Sequence, residues 1–252
     1  MGTFDLTSDI HTDINKAWIW KANSPVLVIA GDINNDHTKV GPELEAIASR
    51  YKNVLLVLGN HDYYSTRRYG DTMDEATRYI IDTLPENCIL LDPMTNQSVL
   101  IDGVRFVGCN GWYDLKECSY QRWQANMNDA RLINWGKDEP KMLAEHSARW
   151  LEDGINKCSE KLVVITHVAP SAETIDTTRY GDTPLNWAYV NTNMTPLLEK
   201  YKERIIHWCY GHNHCPADFI SKEGVHLVSE PRGYMENRDG HPPFNGPKTL
   251  TF

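Results

Sequence analysis

Apolar residues fall along this chain in short unbroken runs, and each run stops at a polar turn. Residues 3–7 lead into Ser8-Asp9-Ile10-His11-Thr12-Asp13, and residues 26–30 (VLVIA) lead into Gly31-Asp32-Ile33-Asn34-Asn35-Asp36. The plan recurs at 54–58 (VLLVL) before Gly59-Asn60-His61-Asp62, at 162–165 (LVVI) before Thr166-His167-Val168, and at 205–209 before Tyr210-Gly211-His212-Asn213-His214. Apolar runs of this length without alternation predict strands covered on both faces. Amphipathic stretches lie between them at 42–51, 74–84, 140–158 and 195–203. In the third, Leu143, Trp150, Leu151 and Ile155 recur at helical spacing. Strands alternating with helices predict an α/β fold.

Two segments break this rhythm. Residues 98–110 read as two strands joined at Asp102-Gly103, a hairpin turn signal. Residues 218–230 repeat the idea around Lys222-Glu223-Gly224, and 249–252 can supply a last edge strand. Hairpins beside a parallel core predict mixed sheets, with helices on the outside of a layered sandwich. No repeat, low-complexity tract or linker interrupts the pattern, so 1–252 is expected to form one domain, as its length allows.

Composition narrows the partners. Hydrophobic residues make up 41% and charged residues 23%, an ordinary globular balance. With 34 acidic against 25 basic residues the net charge is −9, which disfavours a groove for long nucleic acid. Divalent ions would soften that argument inside a site without changing it for the surface. No apolar stretch reaches the length of a membrane span, and no basic start with an apolar run marks the N-terminus for secretion. Six scattered cysteines with no C-x-x-C pair are expected as reduced thiols in a cytoplasmic protein.

The five strand-end turns gather the conspicuous chemistry: Asp9 with His11, Asp32, Asn60 with His61 and Asp62, His167, and His212 with His214. Carboxylate, amide and imidazole groups are ligands for hard and borderline divalent ions. Turns after strands are where α/β folds build sites. Four histidines, two aspartates and one asparagine suffice for two ions if one carboxylate bridges. Glycines before Asp32, Asn60 and His212 predict tight turns that let backbone approach the ions. One D-x-H or H-x-H alone is weak, because a lone histidine more often packs or faces solvent. Five such motifs, each behind a buried strand, are not explained by packing.

In order and spacing the series D-x-H, G-D, G-N-H-D, isolated His and G-H-x-H resembles the signature of the calcineurin-like metallophosphoesterase superfamily. Tyr63-Tyr64, THVAPS from Thr166, Pro231-Arg232-Gly233-Tyr234, GVRFVG from Gly103, Trp112, and Met127-Asn128-Asp129 with Arg131 extend the likeness to its small bacterial and phage-type branch, over almost the whole chain. The resemblance implies a four-layer α-β-β-α sandwich of two mixed sheets, with metals at the C-terminal edge of the sheets. It implies a first ion on Asp9, His11, Asp32 and His214 and a second on Asp32, Asn60, His167 and His212, with Asp32 bridging. The implied activity is hydrolysis of a small phosphomonoester or phosphodiester, nucleotides included, by in-line attack of a hydroxide shared between two ions. Mn²⁺ is the first choice of metal, with Fe, Zn or Ni as others. His61 then serves as general acid or charge stabiliser.

The protein-phosphatase motif G-D-x-x-D-R-G is not met, since Asn35 stands where its second aspartate would orient the histidine. Asp36 and Asp62 remain alternatives for that task, against the plainer reading of both as turn or cap residues. Asp13 reads as an N-cap. Asn60, Arg67 and Arg131 are candidate substrate contacts, although a solvated Arg67-Arg68 pair is the more ordinary reading. The aromatic stretch 112–135 is expected mostly to pack, with one or two rings reaching substrate. His37, His146, His207, His226 and His241 read as structural. The expected partner is a small phosphorylated substrate, with neither membrane nor long nucleic acid. The alternative is a nuclease of the DNA-repair branch, which would want a basic groove and an added capping domain that this sequence does not offer. A fold that keeps the architecture and has lost catalysis is a third reading, and the complete ligand set argues against it.

Overall fold

The computed structural model describes residues 2–15, 20–234 and 243–252. In chain order its strands are β1 (Thr3–Thr7), β2 (Val26–Ala30), β3 (Asn53–Val57), β4 (Cys88–Leu90), β5 (Val99–Ile101), β6 (Val104–Cys109), β7 (Lys161–Thr166), β8 (Ile205–Tyr210), β9 (Ala217–Ile220), β10 (His226–Ser229) and β11 (Lys248–Thr251). The helices are α1 (His37–Ala48), α2 (Thr66–Tyr69), α3 (Met73–Thr83), α4 (Tyr120–Asn126), α5 (Asp129–Leu132), α6 (Pro140–Asn156), α7 (Thr177–Tyr180) and α8 (Thr195–Tyr201).

Two mixed sheets result, one ordered β11-β1-β2-β3-β4 and the other β5-β6-β7-β8-β10-β9. Strands β1 to β4 run parallel, as do β6, β7, β8 and β10, while β11, β5 and β9 pair antiparallel at the edges. Side chains alternate across each strand, so the unbroken apolar runs feed two cores at once. Val26, Val28, Leu55, Val57, Val163, Ile165 and Cys209 point between the sheets, where Phe4 and Phe106 also pack. Leu27, Ile29, Val54 and Leu56 face the opposite way, onto the layer of α1 and α3 that contributes Val40, Leu44 and Ile80. Leu162, Val164 and Trp208 face α6 and α8 through Leu151, Ile155 and Leu198. Helix layer, sheet, sheet and helix layer make the four-layer α-β-β-α sandwich.

The expected hairpins form as read, β5–β6 around Asp102-Gly103 and β9–β10 around Ser221–Val225. Helix α1 begins more than a turn before residue 42, because Asp36 caps it by accepting from Thr38 N at 3.0 Å, and Pro42 lies inside it. Helix α3 starts at a capping box of Thr72 with Glu75. No helix among the described residues is long and apolar enough to cross a membrane.

Candidate metal centre

The parallel strands of both sheets end on one side, and the turns that follow are stitched together by backbone bonds. Asp9 N donates to Gly31 O at 2.9 Å, Gly211 N to His167 O at 2.9 Å, Arg232 N to Ser8 O at 2.9 Å and Gly233 N to Asp9 O at 3.0 Å. Five of the eight non-glycine residues with left-handed backbone among those described lie here: Asp9 (φ 48°), His11 (48°), Asp32 (58°), His212 (73°) and His214 (50°). That conformation costs ~1–2 kcal/mol per residue, and such strain concentrates at functional sites. The glycines before Asp32, Asn60 and His212 have a steric role that the sequence did not suggest. They make room for side chains from neighbouring loops. A Cβ on Gly31 (φ 86°) would come 2.5 Å from His167 Nδ1, one on Gly211 would come 2.6 Å from Asp9 Oδ2, and one on Gly59 would strike the Asp32 carboxylate.

The result is a buried cluster. Ligand atoms of Asp9, His11, Asp32 and His214 lie within 4.8 Å of one another, as do those of Asp32, His167 and His212. Asp32 belongs to both groups: its Oδ2 is 3.3 Å from His167 Nε2 and 3.9 Å from His11 Nε2 and from His61 Nε2. Asn60 joins the second group with Oδ1 at 3.0 Å from His167 Nε2. His167 Nδ1 meets the carbonyl of Ala30 at 2.8 Å, and His212 Nε2 meets that of Ala188 at 3.0 Å. A carbonyl only accepts, so these bonds leave His167 Nε2 and His212 Nδ1 as the nitrogens free to ligate.

Electrostatics fit the same purpose. Burial alone would raise both carboxyls, but His214 outweighs it and brings Asp9 down to about 2, and His167 with His61 holds Asp32 well below the carboxylate range. Burial alone would lower His167, yet Asp32 raises it to about 9. Burial and the nearby His167 push His212 down to about 4, and burial also depresses His11 and His61. The charged partners of Asp9 and Asp32 among the described residues are histidines, and His11 Nε2 faces His214 Nε2 at 3.1 Å. A proton satisfies such a set only in part; divalent cations satisfy it fully.

Around the cluster, the structure answers what the sequence left open. His61 Nδ1 bonds Asn35 Oδ1 at 2.6 Å, so Asn35 itself orients His61. Asp36 does not, being the α1 cap, and Asp62 does not either. Fully buried Asp62 instead accepts from the N–H groups of Gly59, Asp32, Ile33 and Asn34 at 2.8–3.1 Å, tying the second and third motif turns together. Burial and Asp32 push its carboxyl up to about 7, against the pull of those four donors. Asp13 sits in a turn and accepts from Asn35 N at 3.4 Å. Asp129, quoted in the Met127-Asn128-Asp129 motif without a role, is wholly buried and bonds Asn60 Nδ2 at 2.9 Å.

A cavity of about 390 Å³ opens over the cluster, lined by Asn60, His61, His212 and His214, by Tyr64, Tyr189 and Tyr234, and by the segments 126–128 and 174–176. Arg67 and Arg131 are exposed and are not among its lining residues; Arg131 instead donates to Asn128 Oδ1 at 2.6 Å. Trp112, Tyr113, Trp123 and Trp135 are core residues. Tyr234, the last residue of the PRGY motif, packs against His11 and His214 at ring distances of 4.8 and 4.7 Å. His37 bonds Ser65, and His207 pairs with His226, away from the cluster. His146 lines a separate cleft, and His241 lies outside the described residues.

The family model for calcineurin-like phosphoesterases matches residues 2–216. The chain belongs to that family. This calcineurin-like phosphoesterase is a phosphoric-ester hydrolase of the dinuclear-metal kind, and its two ligand groups are candidates for two divalent ions. It is 25% identical, over 94% of its length and 93% of the other, to an uncharacterized protein of Acanthamoeba polyphaga mimivirus. Its fold resembles that of phosphopantetheinyl hydrolase from Mycobacterium tuberculosis at a TM-score of 0.80 and 17% identity, covering 99% of this chain and 95% of that one. It also resembles a dimetal phosphatase from Danio rerio at a TM-score of 0.53 and 16% identity, covering 98% and 91%.

Proposed function

We propose that this phosphoesterase hydrolyses a small phosphomonoester or phosphodiester, nucleotides among the candidates, and that Asp9, His11, Asp32 and His214 hold one ion while Asp32, Asn60, His167 and His212 hold the other. The observation that carries this reading is the convergence of six side chains around the shared Asp32 carboxylate beneath one cavity. Mn²⁺ is the metal we favour, since oxygen, amide and imidazole donors suit it. When bound, two such ions supply charge stabilisation at the phosphoryl oxygens and an acidified water as nucleophile.

The chain's own residues do the rest. Asp32 belongs to both ligand groups and is held ionised by His167 and His61, so it would offer both ions a carboxylate. With Nδ1 engaged by Asn35, His61 directs Nε2 at the site, 3.9 Å from Asp32 Oδ2. Since Nδ1 donates to Asn35, a proton on Nε2 makes the ring an imidazolium, a form that burial disfavours; once protonated there, His61 is acid enough to give that proton to the leaving oxygen. At about 390 Å³ the cavity falls within the ~300–1,000 Å³ of small-ligand pockets. Its size and the −9 net charge favour a small substrate over the repair-nuclease alternative.

A screen with added Mn²⁺ tests this, using phosphomonoesters, phosphopantetheinyl esters, cyclic nucleotides, dinucleotides and oligonucleotides, with His61→Ala as control. The expected outcome is turnover of a small ester far above that of oligonucleotides. Turnover confined to long DNA or RNA, with a steep salt dependence, would replace this reading with the nuclease one.

A further inference from the structure

We propose that Asp129 is a positioning residue: its buried carboxylate fixes the Asn60 amide so that Oδ1, not Nδ2, faces the second ion. The proposal rests on the reading of Asn60 as a ligand. Asp129 opens the short helix α5 and is 0% exposed. Its Oδ1 accepts from Asn60 Nδ2 at 2.9 Å and from Tyr64 OH at 2.6 Å, and its Oδ2 accepts from Tyr113 OH at 2.6 Å. Trp135 Nε1 donates to the backbone carbonyl of Asp129 at 2.9 Å, and Trp123 Nε1 donates to Tyr113 OH at 3.0 Å.

A carboxylate taken out of water with no cation beside it is costly unless several donors meet it. Three donors do so here, and each comes from a residue at the metal centre or in contact with it. The Tyr64 ring lies 4.0 Å from His61 at an interplanar angle of 30°, and the Tyr113 ring stacks on His212 at 5.8 Å and 14°. Asn60 is the member for which charge matters most. A terminal amide can present oxygen or nitrogen to either side, and at an ion only the oxygen serves. A carboxylate only accepts, so its bond to Nδ2 settles the choice and leaves Oδ1 beside His167 Nε2. An asparagine at position 129 could pair with either end of the Asn60 amide and would settle nothing. Asn128, the preceding residue, lines the cavity, so the segment that walls the substrate space also sets this ligand.

The test is titration of chelator-stripped protein with Mn²⁺, read by calorimetry and elemental analysis. Wild-type protein is expected to take up two ions; if it takes up none, the metal reading fails whatever Asp129 does. Given two ions, Asp129→Asn should weaken one by roughly 10–100-fold and leave the other within about twofold. Tyr113→Phe removes an equally short bond from the same carboxylate but keeps its bond to Asn60, and should leave both affinities within about twofold. Equal affinities in Asp129→Asn and wild type, or equal losses in both variants, would overturn the proposal, because a merely structural role moves the two alike. If Asp129→Asn does not fold, the side-chain amide protons of Asn60 in unmodified metal-free protein decide. They should resist solvent exchange, and exchange as fast as that of exposed asparagines would equally overturn it.

Discussion

The two halves of the proposed metal centre are built on different principles, although they share Asp32. On the Asn60 side every ligand has a partner behind it: Ala30 O for His167, Ala188 O for His212 and the Asp129 carboxylate for Asn60. On the Asp9 side such partners are sparse. Asp9 accepts from Ser8 Oγ at 2.5 Å and His212 N at 3.0 Å, but His11 Nδ1 is buried without a hydrogen-bond partner among the described residues, and His214 is 13% exposed. Left-handed backbone at Asp9, His11 and His214, and the Tyr234 ring packed on both imidazoles, hold that half instead. Tethers behind a ligand fix its tautomer and its aim, whereas ring packing fixes position alone. The Asn60 side is therefore expected to bind its ion more tightly.

The most severe break removes what the halves share. Asp32→Ala should deplete both ions and lower activity on every ester by more than about 10³-fold, with elemental analysis and kcat read together. His61→Ala should leave both ions in place and lower kcat by roughly 10²–10⁴ for alkyl esters, and by much less for a nitrophenyl ester, which leaves with little need of a proton. A His61→Ala protein that loses an ion, or slows equally on both esters, would show that His61 belongs to the metal centre itself.

The comparison sharpens with one ligand removed from each side. In Mn²⁺ titrations His11→Ala should keep the tighter ion, while His167→Ala should keep only an ion bound roughly 10–100-fold more weakly. Equal residual affinities would erase the distinction. Protons give a finer view of the Asn60 side. In the metal-free protein His167 titrates at about 9 and His212 at about 4. At pH 8 His167 still carries its proton and must release it to ligate, while His212 is already neutral. Loading that side should release about one proton at pH 8 and almost none above pH 10, measurable by calorimetry in buffers of different ionisation enthalpy. No release at pH 8 would mean that His167 is already neutral in the metal-free protein, so that Asp32 does not hold a proton on it.

Most of the architecture was legible because the apolar runs at 26–30, 54–58 and 162–165 are unbroken and can be satisfied only by strands covered on both faces. The site-bearing turns were legible for a related reason, since nothing in packing asks for histidine at four strand ends. What was not legible depends on contacts distant in sequence. Strand β4 is three residues long and gains its place only by pairing with β3. Asn35 was noticed as a departure, but its bond to His61 depends on how two turns approach across 26 positions. Asp62 read as a turn or cap residue and Asp129 was given no role, because a sequence does not reveal that a carboxylate will be buried against four backbone N–H groups, or under two tyrosines and an asparagine. Arg67 and Arg131 drew attention by charge near a motif, whereas the cavity is walled largely by histidines, amides and tyrosines, with Asp176 beside them. The smallest expected effect follows from one of these corrections. Asp36→Ala should cost about 1 kcal/mol of stability through the lost α1 cap and leave kcat unchanged, whereas a fall in kcat would return Asp36 to the role that Asn35 now fills.

The central claim is that activity resides in two ions gathered on Asp32, and metal analysis of the stripped and reloaded protein tests it most directly. The account predicts no turnover of the best ester after chelation, and recovery that follows Mn²⁺ content up to two ions per chain. Full turnover by protein shown by elemental analysis to hold no metal would contradict it.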